Sequence, residues 1–157
     1  MYKSMRIDEI AVRPATIEDY ETIVNFNCSI AEETEGKHLT RETVRDGVES
    51  VLQNSQQGRY FVALAGNEIV GQIMQTSEFS DWRNGYFWWI QSVYVLPKAR
   101  RCGVFRKLYQ HLKSLAEADP HVVGLRLYVE QENKPAQNTY ENIGMTDSHY
   151  IVMEEMF

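Results

Sequence analysis

Residues 93–109, VYVLPKARRCGVFRKLY, hold the transition on which the reading of the fold turns. The β-branched and aromatic run YFWWIQSVYVL, residues 86–96, reads as a strand buried on both faces, and Pro97 ends it. From Val104 the apolar residues Phe105, Leu108, Tyr109, Leu112, Leu115 and Ala116 recur at helical spacing. The basic, glycine-bearing turn between strand and helix aims backbone N–H groups and the positive end of a helix at one point. Arg100, Arg101 and Arg106 add full charges around that point, and Gly103 removes a side chain where a ligand has to come close. An anion, most naturally a phosphate, belongs there. The alternative is an ordinary strand-to-helix connection with solvated arginines. The turn matches neither G-x-x-x-x-G-K-[ST] nor G-x-G-x-x-G, so nucleoside triphosphates and dinucleotides lose their usual support.

Outward from this stretch, toward the N-terminus, RYFVALAG-NEIVGQIMQT from Arg59 reads as a hairpin turning at Gly66-Asn67. The polar stretch SEFSDWRNG connects it to the aromatic strand. Earlier still, Ile10–Arg13 reads as a short strand. Thr16 with Asp19 opens a helix carrying Ile17, Tyr20, Ile23, Val24, Ile30 and Ala31, and Thr40 caps a second with Val44, Val48, Val51 and Leu52 as its buried stripe. The acidic segment AEETEGKH reads as the joint between them. Toward the C-terminus, Asp119-Pro120 stops the helix that began at Val104. A strand at Val122–Val129, a helix from Pro135 to Ile143 closed by Gly144, and a last strand at Tyr150–Met156 follow. The order βααβββαβαβ, without repeat or low-complexity linker, predicts a single α/β (α+β) domain over residues 1–157.

That length suits one compact core and one site. A net charge of −6 weighs against nucleic acid or an anionic membrane as partner, and it is compatible with cationic substrates. No apolar run is long enough to span a bilayer, and the opening MYKSMRIDEI lacks the apolar centre of an export signal. Two cysteines, Cys28 and Cys102, make no disulfide framework, so a reducing cytoplasm is the expected setting. His38, His111, His121 and His149 show no metal-ligand spacing, and no metal is expected.

Two segments carry a family resemblance. Arg100, Gly103 and Phe105, after a strand and a proline, resemble the R-x-x-G-x-[GA] pyrophosphate motif of the GNAT acetyltransferases, with Phe105 departing from the usual small residue. NKPAQNTYENIGM, residues 133–145, is similar to the family's second signature through Asn133, Ala136, Tyr140, Gly144 and Met145. With VRPATIEDY and the element order, the resemblance spans nearly the whole chain. It implies a bent mixed sheet of about seven strands and four helices, whose fourth and fifth strands splay apart to admit a pantetheine arm. It implies acetyl-CoA as cosubstrate: Val93, Tyr94 and Val95 pair with the pantetheine, and Arg101, Cys102, Gly103, Val104, Phe105 and Arg106 hold the pyrophosphate with Arg100. Asn133 holds the cofactor arm, and Tyr140 protonates the departing thiolate. Cys102 is otherwise incidental. A homodimer is the family's frequent state.

The resemblance implies an N-acetyltransferase acting on a primary amine by direct attack. An alkylamine with a pKa of about 10.4 is nucleophilic in only about one molecule in 2,500 at pH 7, a deficit of about 4.6 kcal/mol, so a proton must leave first. Within the family the chain most resembles the diamine (spermidine/spermine) branch, which carries Glu where this chain has Gln91. Glutamine is no base. Glu32, Glu33 and Glu35 in the joint, with Glu78 and Asp81, are therefore the candidate acids of an amine-binding mouth, Glu33 foremost. Trp82 or Trp89 offers a cation–π face. Other acceptors stay open: an amino acid, an aminoglycoside or a protein amine. So does a non-catalytic acyl-CoA-binding module.

Overall fold

The structure is a computed structural model that describes residues 5–157. Residues 1–4, the start of the segment expected to lack an export signal, lie outside the described residues. The chain divides into two compact units, Met1–Leu127 and Tyr128–Phe157.

The first unit is a five-stranded sheet in the order β1-β2-β3-β4-β5, formed by β1 (Ile10–Pro14), β2 (Arg59–Ala65), β3 (Glu68–Ser80), β4 (Gly85–Val95) and β5 (Val122–Arg126). The first four pair antiparallel, and β5 pairs parallel to β4. Helices α1 (Tyr20–Glu35) and α2 (Arg41–Gln53) cover one face, where Ile23, Val24, Val48 and Tyr60 form a buried cluster. Helix α3 (Val104–Ala118) covers the other, burying Val104, Leu108, Leu112 and Ala116. The second unit contains α4 (Lys134–Asn142). The mixed α/β architecture expected from the resemblance is therefore present.

Several boundaries differ from the sequence reading. The acidic joint is mostly helix: α1 runs through Glu32, Glu33 and Glu35, and Gly36 ends it in a left-handed conformation. The polar stretch before the aromatic strand is itself strand as far as Ser80, because its backbone pairs with Gly85–Phe87 whatever its side chains prefer. Only Asp81–Asn84 turn. β4 is not buried on both faces throughout: Trp88, Ile90 and Tyr94 are buried, Phe87, Trp89 and Gln91 are half-buried, and Tyr86 is 42% exposed. The last expected strand, Tyr150–Met156, is not formed, and among the described residues the sheet has five strands where about seven were expected. A strand exists by pairing with a neighbour, and among the described residues none pairs with that segment.

Candidate functional site

The ladder between β4 and β5 stops where β5 ends, at Arg126. β5 pairs with β4 only from Tyr86 to Trp89, so among the described residues Ile90–Val95 have no strand partner on that side. On its other side β4 carries a bulge: Gln72 lies opposite Tyr94 and Met74 opposite Gln91, two steps against three. Ser92, at φ +48°, absorbs the extra residue. The bulge reverses which face the following side chains meet. Trp88 and Ile90 share the α3 face with Arg59 and Gln75, whereas Tyr94 sits on the α1 face with Gln72. Leu96 N donates to Val70 O across the sheet, so strand alternation turns the N–H groups of Val93 and Val95 to the open edge.

Below this edge the chain makes one turn of 3-10 helix at Pro97–Ala99 and then the arginine turn. Arg101 at φ +64° and Gly103 at φ +84° are both left-handed. A Cβ at Gly103 would lie 2.7 Å from Ile7 Cδ1, so the position demands glycine both sterically and conformationally. No side chain caps α3. Its first-turn amides, which have no intrahelical acceptor, and its positive dipole end thus converge where an anion fits.

Arg100 is exposed, yet its guanidinium is engaged on several sides. Its Nη2 donates to Glu33 Oε2 at 2.6 Å, its Nε donates to Val95 O at 3.0 Å, and its guanidinium lies 5.7 Å from the Tyr94 ring centre. Tyr94 donates its hydroxyl to Glu33 Oε1 at 3.0 Å, and burial pushes this phenol above its ordinary range. Glu33 thus has both oxygens engaged and links the end of α1 to β4 and the arginine turn. The expectation of Glu33 as the acid that takes a substrate proton did not foresee these contacts. The signal for them was the bulge, which parity counting along β4 misses.

Beside Ser92, a cavity of about 460 Å³ opens between α1, α2 and the sheet. Its floor carries a chain of polar groups: Asn27 Nδ2 donates to Tyr60 Oη at 3.1 Å, and Gln72 Nε2 donates to Asn27 Oδ1 at 2.7 Å and to Ser92 O at 3.0 Å. Burial raises the Tyr60 phenol, and hydrogen bonds with Asn27 and Ser92 partly offset that. Gln72 Oε1 is buried without a hydrogen-bond partner. Glu35 lines the cavity and also pairs with Lys37 at 2.6 Å. Sequence reading missed the cavity, because its lining is a stripe that reads as ordinary core.

The remaining candidates are dispersed. Gln91 donates to Thr76 Oγ1 at 2.8 Å. Glu78 accepts from Trp89 Nε1 at 3.3 Å and from Arg126 Nη1 at 3.0 Å. Asp81 and the 85% exposed Trp82 lie in the β3–β4 turn. The strand rise sets that turn roughly 27 Å from Val93, so within this chain they do not join the open edge. Glu32 is exposed on the last turn of α1. Cys28 and Cys102 are free thiols. In the second unit, Asn133 Oδ1 caps α4 by accepting from Ala136 N at 3.2 Å, and burial raises the Tyr140 phenol above its ordinary range. Among the described residues no group of three or more His, Cys, Asp and Glu could hold a metal, and no helix is long and apolar enough to cross a membrane.

Residues 21–145 match the model of the Acetyltransferase (GNAT) family. The chain is similar to the crystal structure of a possible acetyltransferase from Clostridium difficile 630, at 43% identity and TM-score 0.89, covering 94% of this chain and 97% of that one. Two more distant structures share the fold. One is a predicted acetyltransferase with acetyl-CoA from Clostridium acetobutylicum, at 16% identity and TM-score 0.73, covering 92% of this chain and 96% of that one. The other is AAC(6')-Iy in complex with the bisubstrate analog CoA-S-monomethyl-acetylneamine, at 14% identity and TM-score 0.75, covering 94% and 98%. No curated protein matches.

Proposed function

Because this chain belongs to the Acetyltransferase (GNAT) family, we propose that it moves the acetyl group of acetyl-CoA directly onto a primary amine. The observation that carries this reading is the bulged β4, whose open edge leads through the single 3-10 turn at Pro97–Ala99 into the arginine turn at the start of α3. The pantetheine pairs with the edge at Val93–Val95 as an added strand, and the amides of Arg101–Arg106 take the pyrophosphate. Asn133 holds the arm through its amide nitrogen. One catalytic domain embraces both compact units, it works in the cytoplasm, and it pairs as a homodimer.

The amine enters the cavity beside Ser92, a small cationic acceptor suiting the net charge of −6. Its proton leaves through water toward the acidic rim at Glu35. The nitrogen attacks the thioester carbon, edge amides of β4 stabilise the oxyanion, and the carbon–sulfur bond breaks as the tetrahedral adduct collapses. Tyr140 protonates the departing thiolate, and the second proton lost by the adduct nitrogen returns to Tyr140 through water as the amide forms. The raised Tyr140 phenol stays protonated throughout the neutral range, which is the form an acid must have.

The test is thiol release from acetyl-CoA against polyamines, arylalkylamines, amino acids, aminoglycosides and peptides, for wild type and Tyr140→Phe. We expect turnover of at least one amine and a fall in kcat of about 100-fold in the variant, with acetyl-CoA binding kept. Tight acetyl-CoA binding with no amine acetylated would replace this reading by a non-catalytic acyl-CoA-binding module.

A further inference from the structure

Helix α2 has a glycine in its middle that its own fold does not need. Gly47 lies inside Arg41–Gln53, and a Cβ built on it meets nothing within 4 Å. A glycine in a helix interior is less stable than alanine, because its backbone loses more freedom on folding. Neither tight packing nor a left-handed turn accounts for it. What it does is line the cavity beside Ser92. Gly47 is exposed where it lines this space, so a side chain there would narrow the mouth of the cavity.

The cavity walls are strongly one-sided in chemistry. Ile30, Leu39, Val44, Val48, Val51 and Met74 supply apolar surface, Tyr60, Asn27 and Ser92 supply a cluster of polar groups, and Thr34 and Glu35 add polar atoms near the end of α1. Glu35 is the one acidic residue of the lining. Mostly apolar walls with a few convergent polar groups are the usual make-up of a site for a compact organic molecule, and about 460 Å³ falls in the usual size range. A polyamine would lay its further ammonium groups along valine and isoleucine, with Glu35 the one acid of the lining to pair with them. A monoamine with an apolar body has no further ammonium to pair: its nitrogen reaches the Ser92 end and its body fills the space that Gly47 leaves.

We infer that the acceptor is a primary monoamine carrying an apolar body of about phenyl size, and that Gly47 sets how large that body can be. This rests on the amine-acetylation reading above, and the two are tested separately by measuring binding without turnover. The probes are 2-phenylethylamine and spermidine, titrated calorimetrically into the full chain saturated with coenzyme A. The variants are Gly47→Leu, which fills the space, and Gly47→Ala, which keeps the helix and fills it little.

Wild type binds 2-phenylethylamine more tightly than spermidine. Gly47→Leu weakens that binding about tenfold or more, and Gly47→Ala weakens it less while raising Tm by about 2–4 °C. Acetyl-CoA affinity is unchanged in both. Tighter binding of spermidine, no binding of 2-phenylethylamine, or equal 2-phenylethylamine affinity in wild type and Gly47→Leu would each overturn the inference. Should Gly47→Leu fail to fold, the weakening in Gly47→Ala decides the matter, and its absence overturns the inference. Acetylation of other amines without 2-phenylethylamine binding sinks this inference alone. Binding of 2-phenylethylamine with no acetylation of any amine sinks the enzyme reading alone.

Discussion

Glu33 shows how far one side chain's role depends on its neighbours. With Oε2 on Arg100 and Oε1 on Tyr94, it positions the arginine turn from the end of α1. Its pair with Arg100 is partly exposed, so the loss of charge costs about 1 kcal/mol at most. Glu33→Gln should therefore raise the KM for acetyl-CoA by about fivefold and leave the pH profile of kcat unchanged. Steady-state kinetics from pH 6 to 9 will check this. A general base would behave otherwise: kcat would fall steeply and the acidic limb of the profile would disappear.

At the scale of elements, α3 supports the site by packing its apolar stripe on the sheet, and a histidine lies in that contact together with Tyr109 and Arg59. His111 meets the Phe61 ring edge-on at 5.3 Å between centres, and burial pushes its imidazole below the ordinary range. A histidine whose folded pKa is depressed takes up its proton more readily when unfolded. The unfolded chain therefore gains protons first as pH falls through about 6.5, and folded stability declines below that value. Denaturant unfolding at pH 7.5 and pH 5.5 should show this loss in wild type. His111→Phe, which keeps the aromatic contact and cannot titrate, should reduce it.

At the scale of the whole molecule, the C-terminal segment is the feature a single chain does not explain. Tyr150, Ile151, Val152, Met153, Met156 and Phe157 are all exposed large apolar residues. Such a run in an isolated chain is a common mark of an association surface. The proposed homodimer covers it. Sedimentation should give the mass of two chains for the full protein and one chain after removal of residues 149–157. A one-chain mass for the full protein would remove the dimer.

Much was legible because some structure is local. The end of a strand at Pro97, a glycine in a left-handed turn at Gly103 and the helical spacing from Val104 are set by backbone sterics and side-chain periodicity, which neighbours in sequence dictate. With the 133–145 signature they pointed to the family, which the match over residues 21–145 shows, and to the arginine turn as the proposed anion site. Other features were decided by contacts between distant segments. The bulge at Ser92 arises from register against β3, and it alone turns Tyr94 toward Glu33. The missing strand at 150–156 shows that strand propensity without a partner makes no strand. The cavity beside Gly47 exists only where α1, α2 and the sheet meet, since a void belongs to surfaces that no single stretch of sequence contains.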